Sequence, residues 1–193
     1  MSSPNRTQTR PLTTANHDRD SAGMTYVYPV VSRRAGGVSV GINLNPNNAC
    51  NWRCIYCQVP NLTRGGPPPI DLILLEDELR RMLADIVDGD FMARVPEGMR
   101  RLNDIALSGN GEPTSAPQFP AVVDLIGRVV ADFKLAQAKK PCHSGESRNP
   151  ETATIWTPAC AGVTDFSRTK LVLISNGSLA HKAYVQDGLR KMA

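Results

Sequence analysis

The stretch VSVGINLNPNNACNWRCIYC, Val38 to Cys57, runs a strand pattern straight into a cysteine loop. From Val38 to Leu44 apolar residues alternate with small or polar ones, which is the period of a strand. Pro46 stops the pattern. Cys50, Cys54 and Cys57 then follow within eight residues, at C-x3-C-x2-C spacing, and they are three of the chain's five cysteines. Three thiols are one short of two disulfides and one short of a closed zinc site. Three thiolates can, however, hold three corners of an iron–sulfur cluster and leave one iron with an open position. A structural zinc site or a purely electron-transferring centre is the competing reading of the same cysteines.

Composition frames this reading. The chain has 193 residues, 41% of them hydrophobic and 21% charged, with a net charge of +4. That length is enough for one domain with a core. The mild charge gives no argument for nucleic-acid binding and does not exclude an RNA substrate. No apolar run approaches a membrane span, so no membrane association is expected. The N-terminal residues 1–23 are polar, lack a secretory apolar segment, and are expected to form a disordered tail. A cytoplasmic, reducing location follows, where clustered cysteines read as ligands and not as disulfides.

Outward from the cysteine loop, the elements alternate. Thr25 to Val31 (TYVYPVV) is a short leading strand candidate. EDELRRMLADIV, Glu76 to Val87, reads as a helix with Leu75, Leu79, Met82, Leu83 and Ile86 on one face. RLNDIALSG, Arg101 to Gly109, is a second strand, and it runs into GNGEP. Pro117 to Phe133 is a second amphipathic helix. KLVLISNG, Lys170 to Gly177, is a third strand, continuous enough to be buried on both faces. A last helix covers AHKAYVQDGLRKM, Ala180 to Met192. The order predicts an α/β fold with a parallel sheet, in about three βα units. Residues 24–193 form its one domain.

One segment does not fit. Between the second helix and the third strand lie 36 residues, Lys134 to Thr169, where such connections usually need about 2–6. Cys142, His143 and Cys160 within it are possible metal ligands, but their spacing matches no zinc pattern. HSGESRNP followed by WTPACAGVT resembles the translation of an interspersed DNA repeat. Residues 141–168 are therefore expected to be an inserted surface loop without catalytic duty.

With these residues in view, the chain resembles the radical S-adenosylmethionine (radical SAM) enzymes. CNWRCIYC is similar to their cluster-binding loop, LSGNGEPT (Leu107 to Thr114) to their Gly-Gly-Glu-Pro motif, and LISNG (Leu173 to Gly177) to the strand end that approaches the ribose and methionine. YPVVSRRAGG, NLNP and CN also look like a branch near the wyosine-type tRNA-modifying members. All three motifs follow strands, at the end of the sheet where such folds place ligands. The resemblance implies a partial (β/α)6 barrel and a [4Fe–4S] cluster held by Cys50, Cys54 and Cys57. It also implies S-adenosylmethionine bound by Tyr56, Gly109, Asn110, Gly111, Glu112, Pro113, Ser175 and Asn176. Tyr56 would lie against the adenine, Glu112 would accept from the ammonium group, and Ser175 and Asn176 would reach the ribose or carboxylate. The implied chemistry is reductive cleavage of S-adenosylmethionine and hydrogen abstraction from a substrate of unidentified class, an RNA base or a protein by analogy. An electron donor such as flavodoxin or ferredoxin would be the partner. Each motif has a plainer reading: Tyr56 as a core residue, GNGEP as a turn, Ser175 and Asn176 as a helix cap or strand-end turn. The three units and the inserted segment suggest a truncated reading frame, and the alternative function is an inactive metal-binding fragment, iron–sulfur or zinc.

Overall fold

A computed structural model describes residues 23–32, 36–133, 135 and 169–192. The polar N-terminal stretch up to residue 22, with His17, lies outside the described residues, as do Arg33 and Arg34. So does the expected insertion 141–168 with Cys142, His143, Trp156 and Cys160.

Strand β1 (Val27–Ser32) pairs antiparallel with β2 (Gly37–Ile42). Two short strands, β3 (Ala49–Cys50) and β4 (Thr63–Arg64), pair in parallel with each other and bracket the cysteine loop. Helix α1 (Leu72–Val87) leads to β5 (Leu102–Leu107), α2 (Phe119–Asp132), β6 (Lys170–Leu173) and α3 (Ala183–Met192). The main sheet has the order β1-β2-β5-β6. The pairs β2–β5 and β5–β6 are parallel. The sheet is thus mixed, because the leading strand joins as an antiparallel edge, and it is open among the described residues.

Alternation decides which residues face the core. Val38, Val40, Ile42 and Leu44 along β2, Ile105 and Leu107 on β5, and Leu171 and Leu173 on β6 belong to one apolar cluster. Leu75, Leu79, Leu83 and Ile86 of α1 pack into it, as do Phe119, Val122, Ile126 and Val129 of α2 and Val185 of α3. Full burial of such a side chain is worth about 1.5–3 kcal/mol. The helices therefore share one face of the sheet, and the strand ends carrying the motifs emerge at its edge.

The boundaries differ from expectation at informative places. Helix α1 begins four residues before Glu76, because Asp71 caps it: one carboxylate oxygen accepts from the Ile73 and Leu74 N–H groups at 3.1 and 3.0 Å. Ile73 in its first turn is 84% exposed, so an apolar residue off the stripe hides the helical period there. Glu78, among the acidic residues early in the helix, does not face solvent. It is buried, and its carboxylate accepts from the backbone N–H groups of Thr25, Tyr26 and Val27, bracing the entry to β1. Strand β6 ends at Leu173, not at Gly177, and Leu171 to Leu173 are only half-buried. It is the edge strand of the described sheet, so its helix-free face is not covered as a central parallel strand's would be. No helix of the described residues is long and apolar enough to cross a membrane.

Candidate functional site

Three loops meet at the C-terminal ends of β2, β5 and β6. After β2, Asn43 and Asn45 turn inward and are buried. Asn43 Oδ1 accepts from the N–H of Asn45 at 3.1 Å and from the N–H of Asn110 at 3.0 Å, tying the first loop to the second. Asn45 Nδ2 donates to the carbonyl of Ala49 at 2.8 Å. Asn48 takes a left-handed φ of 54°, a conformation asparagine tolerates, and its Oδ1 accepts from Asn110 Nδ2 at 2.6 Å.

The cysteine loop leaves this base. Cys50 is buried on β3, Cys54 is half-buried, and Cys57 is exposed; all three are free thiols. The Cys57 N–H donates to the Cys54 carbonyl at 3.0 Å. The C-x2-C spacing thus folds as a turn. Its hydrophobic side chains point outward, with Trp52 60%, Ile55 104% and Tyr56 75% exposed. Tyr56 is therefore not a core residue. Its phenol is raised above its ordinary value of 10.0, first by a hydrogen bond to Cys54 and that thiolate's charge, then by desolvation and by Cys57 and Glu112.

The second loop needs its glycines. Gly109 has φ +144°, and a Cβ there would run into the side chain and backbone of Asn43. A Cβ on Gly111 would sit 2.5 Å from the Ala49 carbonyl oxygen and 2.6 Å from the Asn45 amide carbon. The two loops can touch only because both positions lack a side chain. Glu112 follows, 2% exposed, and Pro113 opens a short 3-10 turn, Pro113–Ser115, that Glu112 caps.

The third loop closes on Glu112. Its Oε1 accepts from the Thr114 N–H at 3.1 Å, the Thr114 hydroxyl at 2.5 Å and the Ser175 hydroxyl at 2.8 Å. Its Oε2 accepts from the Asn176 N–H at 2.6 Å. Four donors on one buried carboxylate are charge-assisted bonds and hold it firmly. Ser175 and Asn176 therefore act on Glu112 directly, a contact that no local pattern in the sequence announces, since the partners lie more than sixty residues apart. The Tyr184 hydroxyl adds a bond to the Thr114 carbonyl at 2.8 Å. Asn51, Asn43 and Tyr184 were not among the expected site residues; their roles arise only from contacts between distant loops.

Cys50, Cys54 and Cys57 line one cavity of about 150 Å³ with Tyr56, Gly109, Gly111, Glu112, Ser175 and Asn176. Asn110, between the two glycines, bonds to Asn48, and Pro113, next to Glu112, is buried; neither lines the cavity. Among the described residues no three His, Cys, Asp or Glu side chains are already arranged to hold a metal ion. The donor set nonetheless suits an iron–sulfur cluster: three soft thiols line the same cavity, two of them from the turn, together with one carboxylate. Set beside family models, curated proteins and solved structures, the chain matches none of them.

Proposed function

We propose that this chain is the cluster- and cofactor-binding part of a radical SAM enzyme. The single observation that carries the reading is the shared cavity: three cysteines, the Gly109–Glu112 loop and the Ser175–Asn176 strand end, from three separate strand ends, line one space. Cys50, Cys54 and Cys57 would hold a [4Fe–4S] cluster at three irons. Bound there, the cluster would supply the electron for reductive cleavage of S-adenosylmethionine, the chemistry that precedes hydrogen abstraction from a substrate.

The chain's own residues do the rest. Glu112 is the one carboxylate on the cavity wall and receives the cofactor's ammonium group. Gly109 and Gly111 let the backbone approach, and Asn110 fixes their loop against Asn48. The exposed ring of Tyr56 supplies the flat surface for the adenine. Pro113 sets the turn that aims Glu112. Ser175 and Asn176 orient the Glu112 carboxylate and would face the ribose or methionine carboxylate. An RNA base or a protein is the substrate class in this reading, with flavodoxin or ferredoxin as electron donor.

A second reading, a metal-binding protein without catalysis, is favoured by one observation: Glu112 already has four protein donors. Anaerobic reconstitution with iron and sulfide, dithionite reduction and assay for 5′-deoxyadenosine separates the two. Product formation is expected. A brown protein that forms none in the presence of S-adenosylmethionine would leave the second reading, and a colourless protein that takes up zinc would remove the cluster from both.

A further inference from the structure

We propose that Asn51 is a positioning residue that holds Cys50 as the preformed ligand of the site, onto which Cys54 and Cys57 close. The proposal rests on the reading of the three cysteines as ligands and adds an order and a cause to it.

The three thiols are unequal. Cys50 is 8% exposed, sits in the β3–β4 pairing and shares its carbonyl with the Gly65 N–H at 3.0 Å. Cys54 and Cys57 lie on the exposed turn, which has no strand pairing. Between them and the strand stands Asn51, whose amide spans the gap to the third loop. Its Nδ2 donates to Ser178 Oγ at 2.8 Å, and its Oδ1 accepts from Asn176 Nδ2 at 3.3 Å. The same Oδ1 accepts from the Cys50 thiol at 3.7 Å in the metal-free protein. A ligating thiolate has no proton to donate, so Asn51 holds Cys50 through the chain, by its bonds to Ser178 and Asn176, and not through the sulfur. Asn176 is in turn bonded through its N–H to Glu112 and through its Oδ1 to the Ser178 N–H at 3.0 Å. Asn51 thus links the cysteine loop to Asn176, one of the residues gripping Glu112. An amide suits this position because it donates and accepts at once without adding charge beside a thiolate.

A partner of this kind orients a ligand without touching the metal, and its loss typically weakens metal affinity by about 10–100-fold. Cobalt(II) alone serves as the probe, because its thiolate charge-transfer absorption counts bound sulfurs. The full chain, reduced and metal-free, is titrated as wild type, Asn51→Ala, Ser178→Ala and the double variant, with each apoprotein's melting temperature as control. The expected result is one cobalt per chain with a thiolate band in the wild type. Asn51→Ala should raise the dissociation constant about tenfold and leave the melting temperature within a few degrees. Ser178→Ala should shift it in the same direction, and the double variant should be no weaker than Asn51→Ala alone, because the two act through one bond. Equal affinity in wild type and Asn51→Ala would overturn the proposal while leaving the cysteine reading standing. Strictly additive losses would overturn it too, since the two residues would then act separately. Absence of any thiolate band in the wild type would overturn the cysteine reading itself and this inference with it. Should Asn51→Ala fail to fold, Ser178→Ala decides alone: unchanged affinity overturns the proposal.

Discussion

On one side of the cavity Glu112 is 2% exposed and gripped by Thr114, Ser175 and Asn176. Elsewhere on its lining, Trp52 and Tyr56 stand 60% and 75% exposed, and Cys57 is exposed as well. The carboxylate wall is organised by buried hydrogen bonds between strand ends. The cysteine wall is organised by a single turn and by Asn51. The difference teaches that buried hydrogen bonds between strand ends prebuild the polar half of the cavity, whereas the thiols on the open turn would, in the proposed function, be gathered by the metal they bind.

That contrast can be broken first at the cysteine wall. Cys54→Ala should abolish cluster incorporation, measured as iron and sulfide per chain, while the thermal melt of the apoprotein shifts by no more than a few degrees, because Cys54 is only half-buried. Cys160→Ala should leave iron content at the wild-type level. Retained cluster in Cys54→Ala would show that the turn is not the ligand site.

At the carboxylate wall the expected effect is on stability instead. Glu112→Ala strands the Ser175 and Thr114 hydroxyls and the Asn176 and Thr114 N–H groups, and all four bonds are buried or half-buried. The apoprotein should lose about 3 kcal/mol in denaturant unfolding. A smaller step is Gly109→Ala, where φ +144° and the contact with Asn43 oppose any side chain. A loss of about 1–3 kcal/mol is expected. If either variant unfolds like wild type, the polar wall is not prebuilt and the comparison fails.

The smallest effect sharpens the comparison through pH. Tyr184, bonded to the Thr114 carbonyl, is raised above its ordinary value of 10.0, first by burial and then by the Glu112 charge. The folded state therefore holds the phenol proton more tightly than the unfolded chain. Its contribution is complete below the unfolded value near 10 and is lost as pH rises through the higher folded value. Tyr184→Phe should cost under about 1 kcal/mol at pH 7. Wild-type stability should fall more steeply above pH 10 than that of the variant, read from melting temperatures across that window. Parallel curves would place the pH dependence elsewhere.

How much of this was legible in the chain depended on range. Helix α2 was readable almost to the residue, since Val122, Val123, Leu125, Ile126 and Val129 repeat with the helical period and are all buried. Strand β5 was readable because Ile105 to Leu107 is a short apolar run ending in glycine. The start of α1 was not, since exposed Ile73 blurs the stripe. The half-burial of β6 was not either, because a strand's own residues do not say whether it lies at a sheet edge. At the site, the residue types and their place after strands could be read directly, but Asn51 and Tyr184 could not, as their partners lie 127 and 70 residues away.

The sequence by itself determined the local periods, the cysteine spacing and the glycines that let two loops touch, because these depend on neighbours in the chain. Only the tertiary structure decided that β1 turns back antiparallel, that Glu78 points inward, and that Ser175 and Asn176 grip Glu112 while Asn51 reaches across to Ser178. The physical reason is that a hydrogen bond between loops of different strands is specified by the sheet's order and register, and these are fixed by burying one apolar face against three helices.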